Sequence, residues 1–333
     1  MKQVLFILTV FALILGACNS SKGPDVSHIH LSVEPQLFFI DLFEMNEDDL
    51  DNEIIRLHQK YGTYLDAYSQ QIIKIGSPSS PNYNNYLSSF LNYEDNKDVF
   101  KACKEQYSDT KNVAEDLTEA FKHYKYYFPE AEIPQVYLHT SYFHQNLAMD
   151  SGWVSISVEN YLGADCEFYE WLAKPLYLRQ KMIPEKLVPD IMKAMAIGNF
   201  SFETKNEDVI SKMISQGKVH YFIKQMIPDI QDTLLFDFSE VQFKWCENYE
   251  ADIWASMVEQ KHLYETNRMV IQKYVGDSPF TYYFGNESPG KAAVFLGYKI
   301  IEAYMKNNPD TSLEDLLNIK DGHLILQEAR YRP

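Results

Sequence analysis

The sequence is 333 residues long and acidic, with 47 Asp and Glu against 30 Lys and Arg and a formal charge of −17. That balance makes nucleic acid and anionic lipid headgroups poor partners for its surface. Hydrophobic residues supply 46% of the chain and glycine and proline are scarce, so a large core can form and no disordered or low-complexity segment is indicated.

Residues 1–17 read as a lipoprotein signal peptide, in which Lys2 precedes an apolar run from Val4 to Leu15 that is too short to span a bilayer as a mature helix. The run closes on Leu15-Gly16-Ala17-Cys18, which is similar to the lipobox of bacterial lipoproteins, so Cys18 is the expected lipidated N-terminus. An ordinary cleaved signal with an incidental cysteine is the alternative. Acyl chains contribute about 0.8 kcal/mol per buried methylene, enough when multiplied to hold a folded body at a membrane without a spanning helix. Residues 18–25 form the expected polar tether and residues 26–333 a single globular domain. Asn19 is not the aspartate that retains some lipoproteins at an inner membrane, and no acidic run follows Cys18. The expected address is the outer membrane, facing the periplasm. Cys103, Cys166 and Cys246 are widely spaced without a CxxC, and read as buried free thiols, although the compartment would permit one bridge.

Along the chain, Asn46 caps an acidic first turn, after which Leu50, Ile54, Leu57 and Tyr61 recur at helical spacing. A second helix carries Leu65, Tyr68, Ile72 and Ile75 to a stop at Gly76, and residues 77–93 read as a loop with two prolines. A third helix runs from about Thr110 to Phe128. Pro134–Phe143 and Gly152–Gly163 read as strands of one small sheet, with Trp153, Ser155 and Ser157 alternating against Val154, Ile156 and Val158. Helical spacing returns at Leu187–Met195, Ile210–Tyr221, Ile253–Val258 and Ala293–Tyr304, and Ser312 caps a short helix through Leu317. The expected class is α+β, predominantly helical, with one small sheet.

The stretch Gly285–Ala293, GNESPGKAA, looks like a phosphate-binding loop, with Gly285, Gly290 and Lys291 in place, but lacks other groups one needs. Ala292 stands where the hydroxyl after the lysine must ligate magnesium, Pro289 removes a cradle N–H, and Glu287 places a carboxylate beside the phosphates. The better reading is a helix start, with Ser288 as N-cap, Pro289 in the first turn and Gly290 for close packing. No nucleotide and no other cofactor is expected. No H-E-x-x-H is present; Glu259 with His262, His139 with His144, and His28 with His30 are the nearest metal candidates, each without a visible third ligand, and no metal is expected. No G-x-S-x-G marks a nucleophile, and no catalytic residue is expected. The aromatic runs holding Tyr126, Tyr127, Tyr282 and Tyr283 read as core packing at helix borders, with a sugar-binding platform as the alternative.

Several stretches together carry a resemblance: KYGTYLDAY, YYFPEAEIPQVYLHTS, ENYLGADCEFY, KMIPEKLVPDIMKA, WCENYEADIWASMVE and SPFTYYFGNESPGKAAVFLGYKIIEAYM. In that order, after the lipobox, the chain resembles the gliding motility lipoprotein family GldB of Bacteroidota over essentially its whole mature length. Leu37-Phe38 departs from the Arg-Phe pair of the family pattern, so no role of that arginine carries over. The resemblance implies a component of the envelope machinery for gliding and associated protein secretion, with envelope proteins as partners, membrane lipid held through Cys18, and no assigned chemistry. A more distant resemblance is to predicted zinc peptidases, in which the helix at 187–200 carries H-E-x-x-H. Here it reads LVPDIMKAMAIGNF, with neither histidine nor glutamate. That resemblance implies a zincin-like scaffold without its metal site, for which protein binding is what remains. A metallopeptidase with unconventional ligands and a glycan-binding lipoprotein are the competing readings.

Overall fold

The computed structural model describes residues 23–333; the signal peptide and Cys18 lie outside the described residues. The N-terminal part is helical: α1 (Phe38–Phe43), α2 (Leu50–Tyr61), α3 (Thr63–Ala67), α4 (Tyr83–Asn92), α5 (Glu94–Tyr107) and α6 (Lys111–Tyr127). Asn46 caps as expected, its side chain accepting from the Asp48 N–H, although one turn of 3-10 helix intervenes before α2. The helix expected to stop at Gly76 ends sooner. After Ala67 it widens into a π turn over Tyr68–Ile72, and Lys74 at φ 58° breaks it. Part of the expected loop at 77–93 is the helix α4, which buries Tyr83, Leu87 and Leu91 at four-residue spacing.

The sheet contains β1 (Gln135–His139), β2 (Leu147–Asp150) and β3 (Trp153–Ser157) in the order β1-β3-β2. The two expected strands do pair, in parallel, Gln135 with Trp153 through His139 with Ser157, and β2 adds an antiparallel edge. Alternation along β3 divides two cores. Val154, Ile156 and Val158 join the main core, whereas Trp153 joins a smaller one made by α1–α4. There Phe38 meets Tyr61, Tyr64 and Tyr68 edge-on at centroid distances of 4.9, 4.9 and 4.6 Å. The N-terminal helices thus cover the face of the sheet on which the serines of β3 lie, and every residue of β3 is buried.

The C-terminal part contains α7 (Glu167–Trp171), α8 (Leu176–Arg179), α9 (Leu187–Asn199), α10 (Val209–Met226), α11 (Asp232–Phe236), α12 (Glu240–Asn248), α13 (Glu250–Glu259), α14 (Arg268–Val275), α15 (Ala292–Asn307), α16 (Leu313–Asn318) and α17 (Gly322–Ala329). Ser312 caps α16 through the Asp315 N–H as expected. Helices α10 and α15 are buried on most sides and cross at the centre of the main core. At the crossing the backbones touch. A Cβ added to Gly217 would stand 2.4 Å from the Gly297 carbonyl carbon, and one added to Gly297 would stand 2.1 Å from the Met213 oxygen. No helix among the described residues is long and apolar enough to cross a membrane.

Since neither obstruction is a flexible side chain, Gly297→Ala must push α10 and α15 apart. Overpacking of this kind costs about 1–3 kcal/mol. A thermal melt of Gly297→Ala should show the loss, while Gly62→Ala, where a Cβ meets nothing within 4 Å, should lose stability only through its φ of +54°.

Candidate functional site

The loop Gly285–Ala293 does start a helix, but not as expected. Helix α15 begins at Ala292 after Lys291 in the left-handed region at φ 61°, so Ser288 is not its N-cap and Pro289 is not in its first turn. Thr281 supplies the cap across the loop, its hydroxyl accepting the Ala292 N–H at 2.9 Å and donating to the Pro289 carbonyl at 2.7 Å. Ser288 instead closes the turn by donating to the Gly285 carbonyl at 2.6 Å. Gly290 is needed for close approach, since a Cβ there would lie 1.9 Å from the Ser278 carbonyl oxygen. Lys291 points its ammonium at Asp277 Oδ1, 2.6 Å away.

The histidine candidates do not converge. His28 and His30 are exposed, His144 is exposed while His139 is fully buried, and His262 Nδ1 is hydrogen-bonded to the Tyr274 hydroxyl at 2.8 Å. Among the described residues no group of His, Cys, Asp or Glu could hold a metal ion. On α9 the face toward the core carries Leu187, Ile191, Met192, Met195 and Ala196. Cys103 and Cys246 are buried, Cys166 is half-buried, and all three are free; burial raises each thiol pKa, which leaves none activated. The aromatic runs each divide. Tyr127 donates to Gln225 and Tyr283 stacks on Tyr274, while Tyr126 and Tyr282 are exposed. Lys273 sits over the Tyr282 ring, 3.9 Å from its centroid, on a ring face that a sugar would need.

Two polar constellations were not read from the sequence. The first is walled into the sheet. The Gln145 carbonyl accepts from His139 Nε2 at 3.2 Å, so Nδ1 accepts from the Ser155 hydroxyl, which in turn accepts from the Tyr64 hydroxyl at 2.6 Å. Beside it the carboxylate of Glu159 gathers the Ser141 and Phe143 N–H groups at 2.7 and 3.1 Å, in a loop where Tyr142 and Phe143 both have positive φ. Burial raises the Glu159 pKa against these hydrogen bonds. His139, Ser155, Ser157 and Glu159 are all completely buried, and the serine–histidine contact is tied to the β1–β2 loop through the Gln145 carbonyl.

The second borders an open cavity of about 1000 Å3 between α6, the segment 180–189, the C-terminal end of α10 and residues 227–239. At this cavity, Lys186 is buried and places Nζ 2.6 Å from Asp237 Oδ1, 3.1 Å from the Leu234 carbonyl and 4.0 Å from Asp190 Oδ1. Burial alone would lower the Lys186 pKa and raise that of Asp237, whose side chain is 20% exposed, but their mutual attraction outweighs it and shifts both the other way. The pair is therefore ionised, and Asp237, at φ 62°, is the left-handed cap of α11, its N–H donating to the Thr233 carbonyl.

The match to known families runs along almost the whole chain: the family described as gliding motility protein GldB fits residues 19–333. The chain belongs to the GldB family. Membership makes this GldB protein a gliding-motility component of the cell envelope. No curated protein and no solved structure matches it.

His139 gives the GldB fold an acid-sensitive point. Burial lowers its pKa to about 4, against about 6.5 in an unfolded chain. Between those values the unfolded state binds the extra proton, so stability is present above pH 6.5 and falls as pH drops toward 4. Glu159, raised by burial, acts in the opposite sense. In His139→Gln, the unfolding free energy should depend less on pH from 6.5 to 4, by up to ~1.4 kcal/mol per pH unit, with Tm at pH 7 reduced.

Proposed function

We propose that this GldB protein is a non-catalytic binding component of the gliding apparatus and its associated protein secretion, acylated at Cys18 and held on the outer membrane facing the periplasm. The observation that carries the reading is the family match over residues 19–333. Two structural features support binding over catalysis. The groups with nucleophile–base geometry are sealed in the core, whereas the cavity of about 1000 Å3 is open and lined by apolar and charged side chains. The partners are envelope proteins of the machinery, and neither nucleotide nor nucleic acid suits an acidic exported surface.

Deleting the gene in the native host should abolish surface spreading and reduce secretion of exported cargo, and wild-type protein should restore both. Cys18→Ser protein, made but unanchored, should fail to restore them. Normal spreading and secretion in the deletion strain would sink the proposal. Zinc retained stoichiometrically by the purified protein after dialysis would instead favour a metallopeptidase with unconventional ligands.

A further inference from the structure

The charges along the open cavity are unequally matched. Its lysines are committed, Lys186 to Asp237 at 2.6 Å and Lys181 to Asp277 at 3.4 Å and Asp237 at 3.9 Å, and Glu119 is held by Lys122 at 2.6 Å. Asp116, Glu185 and Asp229 also line the cavity and enter no ion pair among the described residues. Between the charges, apolar side chains, Ala120, Val188, Met226, Leu234 and Phe238, alternate with polar ones such as Gln180, Gln231 and Thr233. Burial, with Glu115 beside it, holds the Asp116 carboxyl above its usual pKa, a penalty that an arriving cation relieves.

We propose that this cavity receives a short segment of a partner protein that combines apolar side chains with a lysine or arginine. The cation meets Asp116, Glu185 and Asp229, and the apolar side chains take the wall between them. Among the described residues, an anionic headgroup or a phosphate would face these carboxylates with no uncommitted lysine in the lining to receive it. The entry of the described chain fixes where the partner stands. Gly23 lies against the cavity border, since a Cβ built on it would be 2.5 Å from Pro228 Cγ and 3.4 Å from His123 Cε1, both from lining residues. Five residue steps separate Gly23 from Cys18, at most about 18 Å of extended chain. The partner segment is therefore membrane-proximal. That placement rests on acylation of Cys18, whereas the charge and shape of the cavity do not.

The test uses the full-length protein in detergent micelles and two fluorescein-labelled hexapeptides, one alternating leucine with lysine and one alternating leucine with glutamate. Anisotropy titration should show the lysine peptide binding at least about tenfold tighter, equally in wild type and in Cys18→Ser, so that loss of the anchor does not mimic loss of the site. Combined Asp116→Asn, Glu185→Gln and Asp229→Asn should weaken binding about tenfold or more. Combined Glu130→Gln, Glu132→Gln and Glu314→Gln, around a second acidic cavity, should change it less than about twofold. A photo-crosslinking residue at Gln231 on the cavity border should capture the lysine peptide, and one at exposed Tyr86 should not, which reads the site even if the triple variant fails to fold. Equal losses in both triple variants, equal capture at both positions, or equal affinity for the two peptides would each overturn the proposal.

Discussion

The contact on which the rest of the molecule depends is the crossing of α10 and α15 at Gly217 and Gly297. Without side chains there, two largely buried helices meet backbone to backbone, close enough that residues on either side of the crossing interlock in one core. Both helices bury nearly their full circumference, so their other faces are free to receive α9, α14 and α17. Gly322 repeats the device at the start of α17, where a Cβ would lie 2.9 Å from Ser211 Cα. Lys218, next to the crossing, is itself buried and donates to the Leu317 and Ile319 carbonyls at 3.0 and 2.8 Å. Those carbonyls belong to the end of α16, which has no helical partners for them. Burial lowers the Lys218 pKa to about 8, which still leaves it mostly charged at neutral pH.

The sheet plays a different part, as a wall between two cores rather than the foundation of one. Its main-core face is aliphatic, while the other presents Tyr137, His139, Trp153 and Ser155 to the α1–α4 layer. Polar groups can be buried on that face because each important one has a partner: tyrosine to serine, serine to histidine, histidine to a carbonyl. The same constraint explains the density of tyrosine in KYGTYLDAY. Tyr61, Tyr64 and Tyr68 supply ring area around Phe38 and hydroxyls that reach Asp41, Ser155 and the Thr140 carbonyl.

How far the sequence reveals this structure depends on how local each determinant is. Helices α6, α9, α10 and α15 are legible because an apolar period runs through nine or more residues of each, and Ser312 and Asn46 announce themselves by chemistry next door. Helix α4 hides because prolines and asparagines crowd its start and only Tyr83, Leu87 and Leu91 mark its buried side. The start of α15 is misread for a related reason: its capping hydroxyl belongs to Thr281, eleven residues upstream, where no local capping rule looks. The cavity is invisible to periodicity altogether, since its lining is assembled from three distant segments around residues 116–123, 180–189 and 226–239. Its one local trace is the four-residue spacing of Lys186 and Asp190.

Those distant segments are joined by charge as well as by packing. Starting at Lys291 in SPGKAA, an alternating series runs to Asp277 at 2.6 Å, to Lys181 at 3.4 Å, to Asp237 at 3.9 Å and to Lys186 at 2.6 Å. It continues to Asp190 at 4.0 Å, and from there to the hydroxyl of Tyr161 in ENYLGAD at 2.8 Å. Lys181, Lys186 and Asp190 all lie in KMIPEKLVPDIMKA. Three of the stretches on which the resemblance to GldB rests, separated by more than a hundred residues between first and last, thus meet in one polar series, of which Lys181, Lys186 and Asp237 line the cavity. Each ion in such a series is held by neighbours of opposite sign, so removing one leaves its partners uncompensated in a partly buried setting. The glycine loop therefore contributes Lys291 as the outer member of the series that holds Asp237 and Lys186 in place. Through Asp277, the lysine after Gly290 thus reaches Lys181 in the cavity lining.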